Sequence, residues 1–220
     1  MKLVLASGSQ RRRELLTMCG YDYEIIVSNA DETIDENDPE SFVRALSLRK
    51  AKDVFDRLFG AGRRDFAVIG SDTVVAFQKE GETKPVIIGK PKDAEDAVRI
   101  LSMLSGKTHR VFTGVSVIAD IPDENAAAQC SIRKKEEIQT ECSITEVTFE
   151  TLSPDEIADY VNSGDPLDKA GSYGIQGPFG MFVREIRGNY FTVIGMPIPV
   201  LYKMLKKIGI LPHGFYERIE

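Results

Sequence analysis

The chain has 220 residues, of which 42% are hydrophobic and 28% are charged, and its formal net charge is −6. This length and composition predict one globular domain, or two tightly joined lobes, and exclude a mostly disordered, collagen-like or membrane-spanning chain. The acidic balance argues against duplex nucleic acid as a partner, but a small anionic substrate stays open because it responds only to local charge.

The predicted elements begin with a strand at residues 3–6 and a helix at residues 11–19, joined by Ser7-Gly8-Ser9. The strand is a short apolar run, and the helix carries apolar residues at three- and four-residue spacing. A small-residue loop at a helix start brings backbone N–H groups and the positive end of the helix dipole together, which favours an anion. Arginines follow, where stability alone would favour acids. Because the loop lacks the P-loop spacing, an anion site and a solvated arginine cluster both stay open.

A second strand is predicted at residues 23–27, followed by an acidic loop at 31–40 and a long helix at 40–59. Lys50 lies one helical turn from apolar residues on either side, on or beside the buried face of that helix. A lysine in this position extends its ammonium group to solvent or faces a polar cleft. An ordinary surface lysine is the commoner case.

Residues 66–77 are predicted to form an apolar strand that Asp72 interrupts. A carboxylate among small residues at a strand end can bind a metal or act as a base, whereas the structural alternative is an aspartate that caps a turn. Lys90 follows between Gly89 and Pro91, on a stiff loop that would set the direction of its ammonium group. A surface lysine is again the alternative.

The next helix is predicted from Asp93 to Gly106, and the next strand at residues 111–119. Residues 120–140 are polar and charged, and they predict an exposed hairpin or excursion before a strand at 143–149. The next predicted element is a helix that starts with a capping box at Ser153 and Glu156. A glycine-rich loop, ordered or functional, follows at 165–180. The chain then continues as a hairpin of 181–186 with 190–194 and an amphipathic helix at 197–208. This mixture of strands and helices indicates an α/β or α+β fold.

Cys19, Cys130 and Cys142 form no C-x-x-C pair, which argues against a disulfide framework and a structural zinc site. His109 and His213 are too few for a histidine-rich zinc site, and His109 is predicted to be structural. The N-terminal apolar run is too short for a signal peptide, and no segment approaches the roughly 20 apolar residues of a membrane helix. We therefore expect a cytoplasmic protein in a reducing compartment, with neither a membrane nor nucleic acid as its partner.

Taken together, the chain offers several cations, several carboxylates and a glycine-rich loop. Cations suit a polyphosphate, and carboxylate oxygens suit Mg²⁺ or Mn²⁺. In their order and over nearly the whole chain, the motifs resemble those of the Maf nucleotide pyrophosphatases. The segments that carry the resemblance are Leu5 to Arg12, Asp31-Glu32, Lys50-Ala51, Gly70 to Val74, Gly89-Lys90-Pro91, Leu104-Ser105-Gly106, Thr113-Gly114, Asp168 to Gly177, and Val193 to Pro197.

The resemblance implies an α/β fold, with an elongated mixed β-sheet and flanking helices in two lobes around a central cleft, similar to the inosine-triphosphate pyrophosphatases. It implies that residues 1–220 form a single domain of this type. It also implies hydrolysis of nucleoside triphosphates to the monophosphate and pyrophosphate with a divalent metal cation, Mg²⁺ or Mn²⁺. Relatives commonly form homodimers, so a homodimer is an assembly to test.

By the same resemblance, Asp72 matches the family's general base, and Lys50 and Lys90 match the lysines that hold the phosphates. Glu32 matches the acidic residue near the metal. Asp72 is equally compatible with a role mainly as a metal ligand, so base and ligand stay open for it.

Substrate contacts are implied in the same way. Ser7 and Arg11 match the phosphate loop of the family. A subfamily that prefers dTTP and UTP is similar to this chain at Arg11-Arg12, Asp72-Thr73 and Ile175-Gln176-Gly177. The resemblance therefore implies dTTP and UTP as substrates, with modified pyrimidine nucleotides as further ones. The amide of Gln176 carries both a donor and an acceptor, so it can pair with the edge of uracil or thymine.

Two other functions stay open. The first is a pyrophosphatase for 7-methyl-GTP or inosine triphosphate, and the second is a nucleotide-binding regulator of cell division without turnover. The intact set of Asp72, Lys50 and Lys90 argues against the regulator, because a non-catalytic binder has no need of all three. The chain departs from the family at Gln10, where a proline is usual, and in the length of residues 120–140, which we expect to be a surface elaboration.

Overall fold

Strands and helices alternate in the first half of the chain and build one mixed sheet with helices packed on it. The computed structural model describes residues 1–79, 81–121 and 135–214. In these residues the strands are β1 (Lys2–Leu5), β2 (Tyr23–Ile25), β3 (Phe66–Phe77), β4 (Val86–Ile88), β5 (Thr108–Ile121), β6 (Lys135–Phe149) and β7 (Val183–Arg187). The α-helices are α1 (Gln10–Met18), α2 (Pro39–Gly60), α3 (Ala94–Leu104), α4 (Pro154–Asn162), α5 (Tyr190–Ile194) and α6 (Ile198–Lys207). Short 3₁₀ helices cover Asp165–Asp168, Ala170–Ser172 and Pro178–Phe182.

The sheet is mixed and is centred on the two long strands β3 and β5. Its order is β2-β1-β3-β5-β6-β7, and β4 pairs with β3 outside this path. β1 runs parallel to β2 and β3, whereas the pairs β3–β4, β3–β5, β5–β6 and β6–β7 are antiparallel. The expected α/β class with a mixed sheet and flanking helices is confirmed.

The alternation of side chains along β3 decides which helices cover each face of the sheet. Phe66 and Val68 pack in a buried cluster with α2, whereas Ala67 and Ile69 pack with α1 and α6 on the opposite face. Farther along the strand, Val75 belongs to a separate cluster with α3 and α4. The core is therefore divided into separate clusters on the two faces and along the length of β3.

Two glycines allow α2 to lie directly on the sheet. A Cβ atom at Gly70 would lie 2.1 Å from the main-chain oxygen of Ser47, and one at Gly114 would lie 2.2 Å from that of Val43. Any side chain at either position would displace the helix, because real Cβ atoms do not approach backbone atoms so closely. This close contact sets the height of α2 above β3.

Most elements predicted from the sequence are present, with ends shifted by a few residues. The long helix, α2, extends from Pro39 to Gly60. The capping box at the start of α4 forms as predicted, since the Ser153 side chain accepts from the Glu156 N–H and Glu156 accepts from the Ser153 N–H. The glycine-rich segment is ordered as short 3₁₀ helices and turns.

The predicted hairpin of residues 181–186 with 190–194 is wrong. The first part contains β7, but the second is the short helix α5. The Asn189 side chain caps this helix by accepting from the N–H groups of Phe191 and Thr192, and Gly195 ends it with φ of 112°. These two end signals outweigh the strand preference of the aromatic and β-branched residues between them.

The alternative in which Asp72 caps a turn at a strand end is also wrong. Asp72 lies inside the continuous strand β3, opposite Gly114 of β5. The excursion predicted at 120–140 falls mainly on residues 122–134, outside the described residues, but the strands on either side pair as a hairpin up to Ile121 and Lys135. Within the described part of the chain, none of the helices combines the length and the apolar character needed to cross a membrane.

Candidate active site

A cavity of about 1150 Å³ is lined by residues from both halves of the chain. It contains all nine side chains that the sequence singled out: Ser7, Arg11, Arg12, Glu32, Lys50, Asp72, Thr73, Lys90 and Gln176. These residues come from the loops after β1, β2 and β4, from α1, α2 and β3, and from the glycine-rich segment. The expected convergence of the motifs in a cleft is therefore observed, although their chemical roles stay predictions.

An open stretch of the β3 edge explains how one cavity reaches both faces of the sheet. On this edge β1 pairs with β3 as far as Ile69, and β4 pairs with it from Val75 onward. Within the described residues, no strand pairs with residues 70–74 on that side. Neighbouring residues of a strand point to opposite faces, so Asp72 faces α2 while Thr73 faces α1. Both side chains border the same opening.

Lys50 is the centre of a charged cluster on the α2 side. Its Nζ atom lies 2.8 Å from Oδ1 of Asp72 and 2.9 Å from Oε1 of Glu32. The side chains of Lys50 and Asp72 are only 12% and 13% exposed, whereas Glu32 is 66% exposed. Lys50 therefore faces a polar cleft, and the alternative of a surface lysine is wrong. A partly buried charge is costly without a partner, and Lys50 and Asp72 supply that partner for each other.

Arg12 is held on the opposite side by neutral oxygen atoms. Its Nε donates to the main-chain oxygen of Gly195 at 2.8 Å, its NH1 to Oγ of Ser7 at 3.1 Å, and its NH2 to Oγ1 of Thr73 at 3.3 Å. Burial lowers the pKa of Arg12, and the negative charge of Asp72 acts in the opposite direction. Neutral acceptors orient the guanidinium group without neutralising it, so its charge stays available to an anion.

The start of α1 has the features of an anion-binding helix end. The first turn carries no acidic residue, and the N-cap Ser9 makes no side-chain capping bond. The Ser9 N–H instead donates to Oγ of Ser7 at 3.2 Å. Uncapped N–H groups with Arg11 and Arg12 beside them favour an anion such as phosphate. Because Arg12 is bound by three protein acceptors, the arginines here are not simply a solvated cluster.

The glycine-rich segment supplies cavity residues for which sequence reasoning assigned no role. Asp168 joins the two ends of the chain, since its Oδ2 lies 3.4 Å from NH1 of Arg11 and its Oδ1 lies 2.8 Å from Nζ of Lys169. Burial raises the pKa of Asp168, but the hydrogen bond from Lys169 and the charge of Arg11 together lower it below its usual value. Lys169 also pairs with Asp165 at 2.9 Å. The sequence signal that could have identified these residues is the family motif that begins at Asp168.

Lys90 and Gln176 lie at the exposed rim of the cavity. The loop that carries Lys90 is tied to the glycine-rich segment, because the Gly171 N–H donates to the main-chain oxygen of Gly89 at 3.0 Å. Gln176 lies in a turn closed by a hydrogen bond from the Gly177 N–H to the Gly174 oxygen at 3.3 Å. Both side chains therefore sit on loops that are fixed by backbone hydrogen bonds.

His109 is outside the cavity lining and has a structural environment, as predicted. Its Nε2 lies 2.9 Å from the hydroxyl of Tyr173, and its ring packs edge-to-face against Phe149. Burial lowers the pKa of His109 to about 3. The ring is therefore neutral at physiological pH and serves the aromatic core below the glycine-rich segment.

The carboxylates of the cavity fit a divalent metal that is shared with a phosphate ligand. Asp72 and Glu32 both direct an oxygen atom at the Lys50 ammonium group, so their oxygens already converge on one cationic position. Among the described residues there is no group of three or more His, Cys, Asp or Glu that could enclose a metal. Mg²⁺ commonly binds through one or two carboxylates and completes its shell with water and substrate phosphates. The donor set suits that arrangement and does not suit a closed structural site.

The comparison with solved structures finds a weak likeness to the Staphylococcus aureus Ham1 protein. The two share 15% sequence identity with a TM-score of 0.49, over 94% of this chain and 100% of that protein. A likeness of this strength supports no conclusion about the chain.

Sequence comparison gives a clear family assignment. A protein named dTTP/UTP pyrophosphatase from Agathobacter rectalis is 40% identical over 95% of this chain and 98% of its own length. A protein of the same name from Bacillus thuringiensis subsp. konkukian is 42% identical over 95% of this chain and 96% of its own length. Residues 2–208 match the profile of the family described as Maf-like protein. The order of the motifs, their convergence in one cavity and this match together show that the chain belongs to the Maf-like protein family.

Proposed function

We propose that the chain hydrolyses dTTP and UTP to the nucleoside monophosphate and pyrophosphate. The observation that carries this proposal is the convergence of Arg11, Arg12, Lys50 and Lys90 with the carboxylate of Asp72 in one cavity. Cations near a carboxylate that can activate water suit a substrate with several negative charges and one bond to be attacked. The names of the relatives support the substrate choice.

In the proposed reaction, water attacks the α-phosphorus and pyrophosphate leaves with the bridging oxygen. Asp72 orients the water and accepts its proton, while the hydrogen bond from Lys50 holds the carboxylate in place. Negative charge grows on the leaving oxygen, and Lys50 and Lys90 stabilise it. Arg11 and the first turn of α1 hold the phosphates, which brings the α-phosphorus and the water into reacting geometry.

Asp72 and Glu32 are the residues that would hold a divalent cation, Mg²⁺ or Mn²⁺. Such a cation would supply charge neutralisation on the phosphate oxygens. With a cation present, Asp72 would both help to hold the metal and act on the water.

At the base end of the substrate, Gln176 is proposed to pair with the edge of uracil or thymine. Arg12 and Thr73 lie on the α1 side of the cavity and are hydrogen-bonded to each other, so they form one wall of the same site.

A cytoplasmic location, a homodimer and the absence of a nucleic-acid partner stay predictions from the sequence.

The test is pyrophosphate release from dTTP, UTP, 7-methyl-GTP, inosine triphosphate and dATP, each with Mg²⁺ or Mn²⁺. We expect release from dTTP and UTP that needs the metal and falls by at least about 1000-fold in Asp72→Asn. The matched control is Asp120→Asn, because Asp120 is a similarly buried strand aspartate that accepts from the Asp65 N–H away from the cavity. This control should keep the wild-type rate.

The other outcomes separate the alternatives. Faster release from 7-methyl-GTP or inosine triphosphate would contradict the pyrimidine preference and leave the chemistry intact. Nucleotide binding without release from any of the five would favour a regulator without turnover. Full activity in Asp72→Asn would contradict the role given to Asp72.

A further inference from the structure

The turn that carries Gln176 is anchored by a residue that does not line the cavity. The Gly174 N–H, at the start of this turn, donates to the hydroxyl of Tyr160 at 3.1 Å. Tyr160 lies on α4 and is 6% exposed. Its ring packs against Phe179 with centroids 4.8 Å apart, so the position of its hydroxyl is set by the aromatic core.

The Tyr160 hydroxyl has two bonds with distinct directions. It donates its proton to Oδ2 of Asp165 at 2.5 Å, which leaves a lone pair to accept from the Gly174 N–H. Burial and the adjacent Asp165 raise the pKa of Tyr160. The hydroxyl therefore stays protonated at physiological pH, and both bonds persist.

Lys169 holds the other side of the same turn. Its ammonium group donates to Oδ1 of Asp165 at 2.9 Å, and its aliphatic chain lies against Gly174. A Cβ atom on Gly174 would lie 2.6 Å from Cε of Lys169 and 3.4 Å from Oδ2 of Asp165. Gly174 is thus enclosed by Tyr160, Asp165 and Lys169, two residues before Gln176.

We propose that Tyr160 is a positioning residue that sets the place of Gln176 and thereby favours pyrimidine over purine nucleotides. This inference rests on the proposed function, because it takes Gln176 as the residue that reads the base. A side chain that pairs with a base edge needs its backbone held to a fraction of an ångström. Tyr160 provides that restraint from α4 through its bond with the Gly174 N–H, and its bond to Asp165 fixes the hydroxyl.

The variant that tests this inference is Tyr160→Phe, which keeps the ring and removes the hydroxyl. We expect kcat/KM for dTTP and UTP to fall about tenfold, the effect of one hydrogen bond. We expect kcat/KM for inosine triphosphate and dATP to change less than about twofold, so the pyrimidine-to-purine ratio should fall. The loss should appear mainly as a higher KM for the pyrimidine nucleotides.

The matched control is Tyr23→Phe. The Tyr23 hydroxyl also bonds a main-chain group, donating to the Arg13 oxygen at 2.8 Å, and Tyr23 does not line the cavity. This control should leave the pyrimidine-to-purine ratio unchanged. Equal losses on pyrimidine and purine substrates in Tyr160→Phe, or an unchanged ratio, would overturn the inference.

Amide hydrogen exchange gives a second readout that needs no substrate. In the full-length protein, measured by NMR, the Gly174 amide should exchange about tenfold faster in Tyr160→Phe than in the wild type. If Tyr160→Phe does not fold, Asp165→Asn is measured instead. It should also raise the exchange rate of the Gly174 amide, because it weakens the restraint on Tyr160 and Lys169.

If the wild type hydrolyses neither dTTP nor UTP, the proposed function fails by itself. An unchanged Gly174 exchange rate would separately overturn the anchoring role.

Discussion

At the scale of single residues, the cavity depends on partners that hold charged groups in place. Lys50 joins the buried Asp72 to the exposed Glu32, and Ser7, Thr73 and Gly195 orient Arg12. From the sequence, the side chains of these groups could be predicted to share one site. Their pairings could not be predicted, because the partners come from distant parts of the chain.

His109 carries a pH prediction for stability. Its pKa is about 3 in the folded protein and about 6.5 in an unfolded chain. The unfolded state therefore binds more protons than the folded state between these values. The free energy of unfolding should fall as pH drops below 6.5, by about 1.6 kcal/mol between pH 6.5 and pH 5. Denaturant unfolding at several pH values measures this slope.

A variant without the titrating ring isolates this contribution. His109→Leu should be less stable at pH 7.5, because Tyr173 loses its hydrogen-bond partner, but its stability should change little between pH 6.5 and pH 5. A slope as steep in His109→Leu as in the wild type would contradict the assignment.

At the scale of elements, the site depends on the close packing of α2 on β3 and β5. Gly114 lies opposite Asp72 in the sheet, and the main chain of α2 occupies the space that a side chain would need. This contact places Lys50 at hydrogen-bond distance from Asp72. The helix could be predicted from its apolar spacing. Its distance from the sheet could not be predicted, because that distance depends on Gly70 in β3 and Gly114 in β5.

Gly114→Ala should therefore disturb both stability and activity. Its Cβ atom would lie 2.2 Å from the Val43 oxygen, so α2 must move. We expect a loss of about 3 kcal/mol in the free energy of unfolding, at the upper end of the usual cost of overpacking. Since Lys50 moves with α2, kcat should fall in the same variant. Chemical denaturation and pyrophosphate release measure the two effects.

The control for this prediction is Gly60→Ala, at the end of the same helix. A Cβ atom there would have no neighbour within 4 Å. The free energy of unfolding should therefore change by less than about 1 kcal/mol, and we expect the change to be an increase. A stable, fully active Gly114→Ala would show that α2 adjusts without cost, contrary to our expectation.

At the scale of the whole molecule, the cavity connects parts of the core that pack separately. Arg11 belongs to the end covered by α1 and α6, whereas Lys90 follows β4 near the cluster with α3 and α4. A triphosphate that contacts both would link the two ends and stabilise the folded state. Such a link would add to the pairing of Arg11 with Asp168 that already crosses the cavity.

Ligand binding should therefore raise the thermal midpoint. A UTP analogue with a methylene group between the α- and β-phosphorus, at 100 times its Kd, should add about 2.7 kcal/mol to stability. Lys90→Ala should show a smaller shift at the same analogue concentration. Lys92→Ala should behave like the wild type, because Lys92 is exposed and does not line the cavity. Equal shifts in the two variants would contradict the role of Lys90 in binding.

The local sequence determined most of the helices and strands, because apolar spacing, caps and glycine act within one element. It determined α2 and the capping box of α4, and the order of the motifs indicated the family. The segment 190–194 was predicted wrongly, because its residue types favour a strand whereas Asn189 and Gly195 cap it as a helix.

Only the tertiary structure decided how the site is made accessible. Asp72 lies in the middle of a long central strand, a position that would ordinarily be closed by neighbouring strands on both sides. It is open because β1 ends beside Ile69 and β4 begins beside Val75, and because Gly70 and Gly114 bring α2 close enough for Lys50 to reach it. Strand lengths and registers come from pairing between distant segments, so no local pattern could have shown this opening.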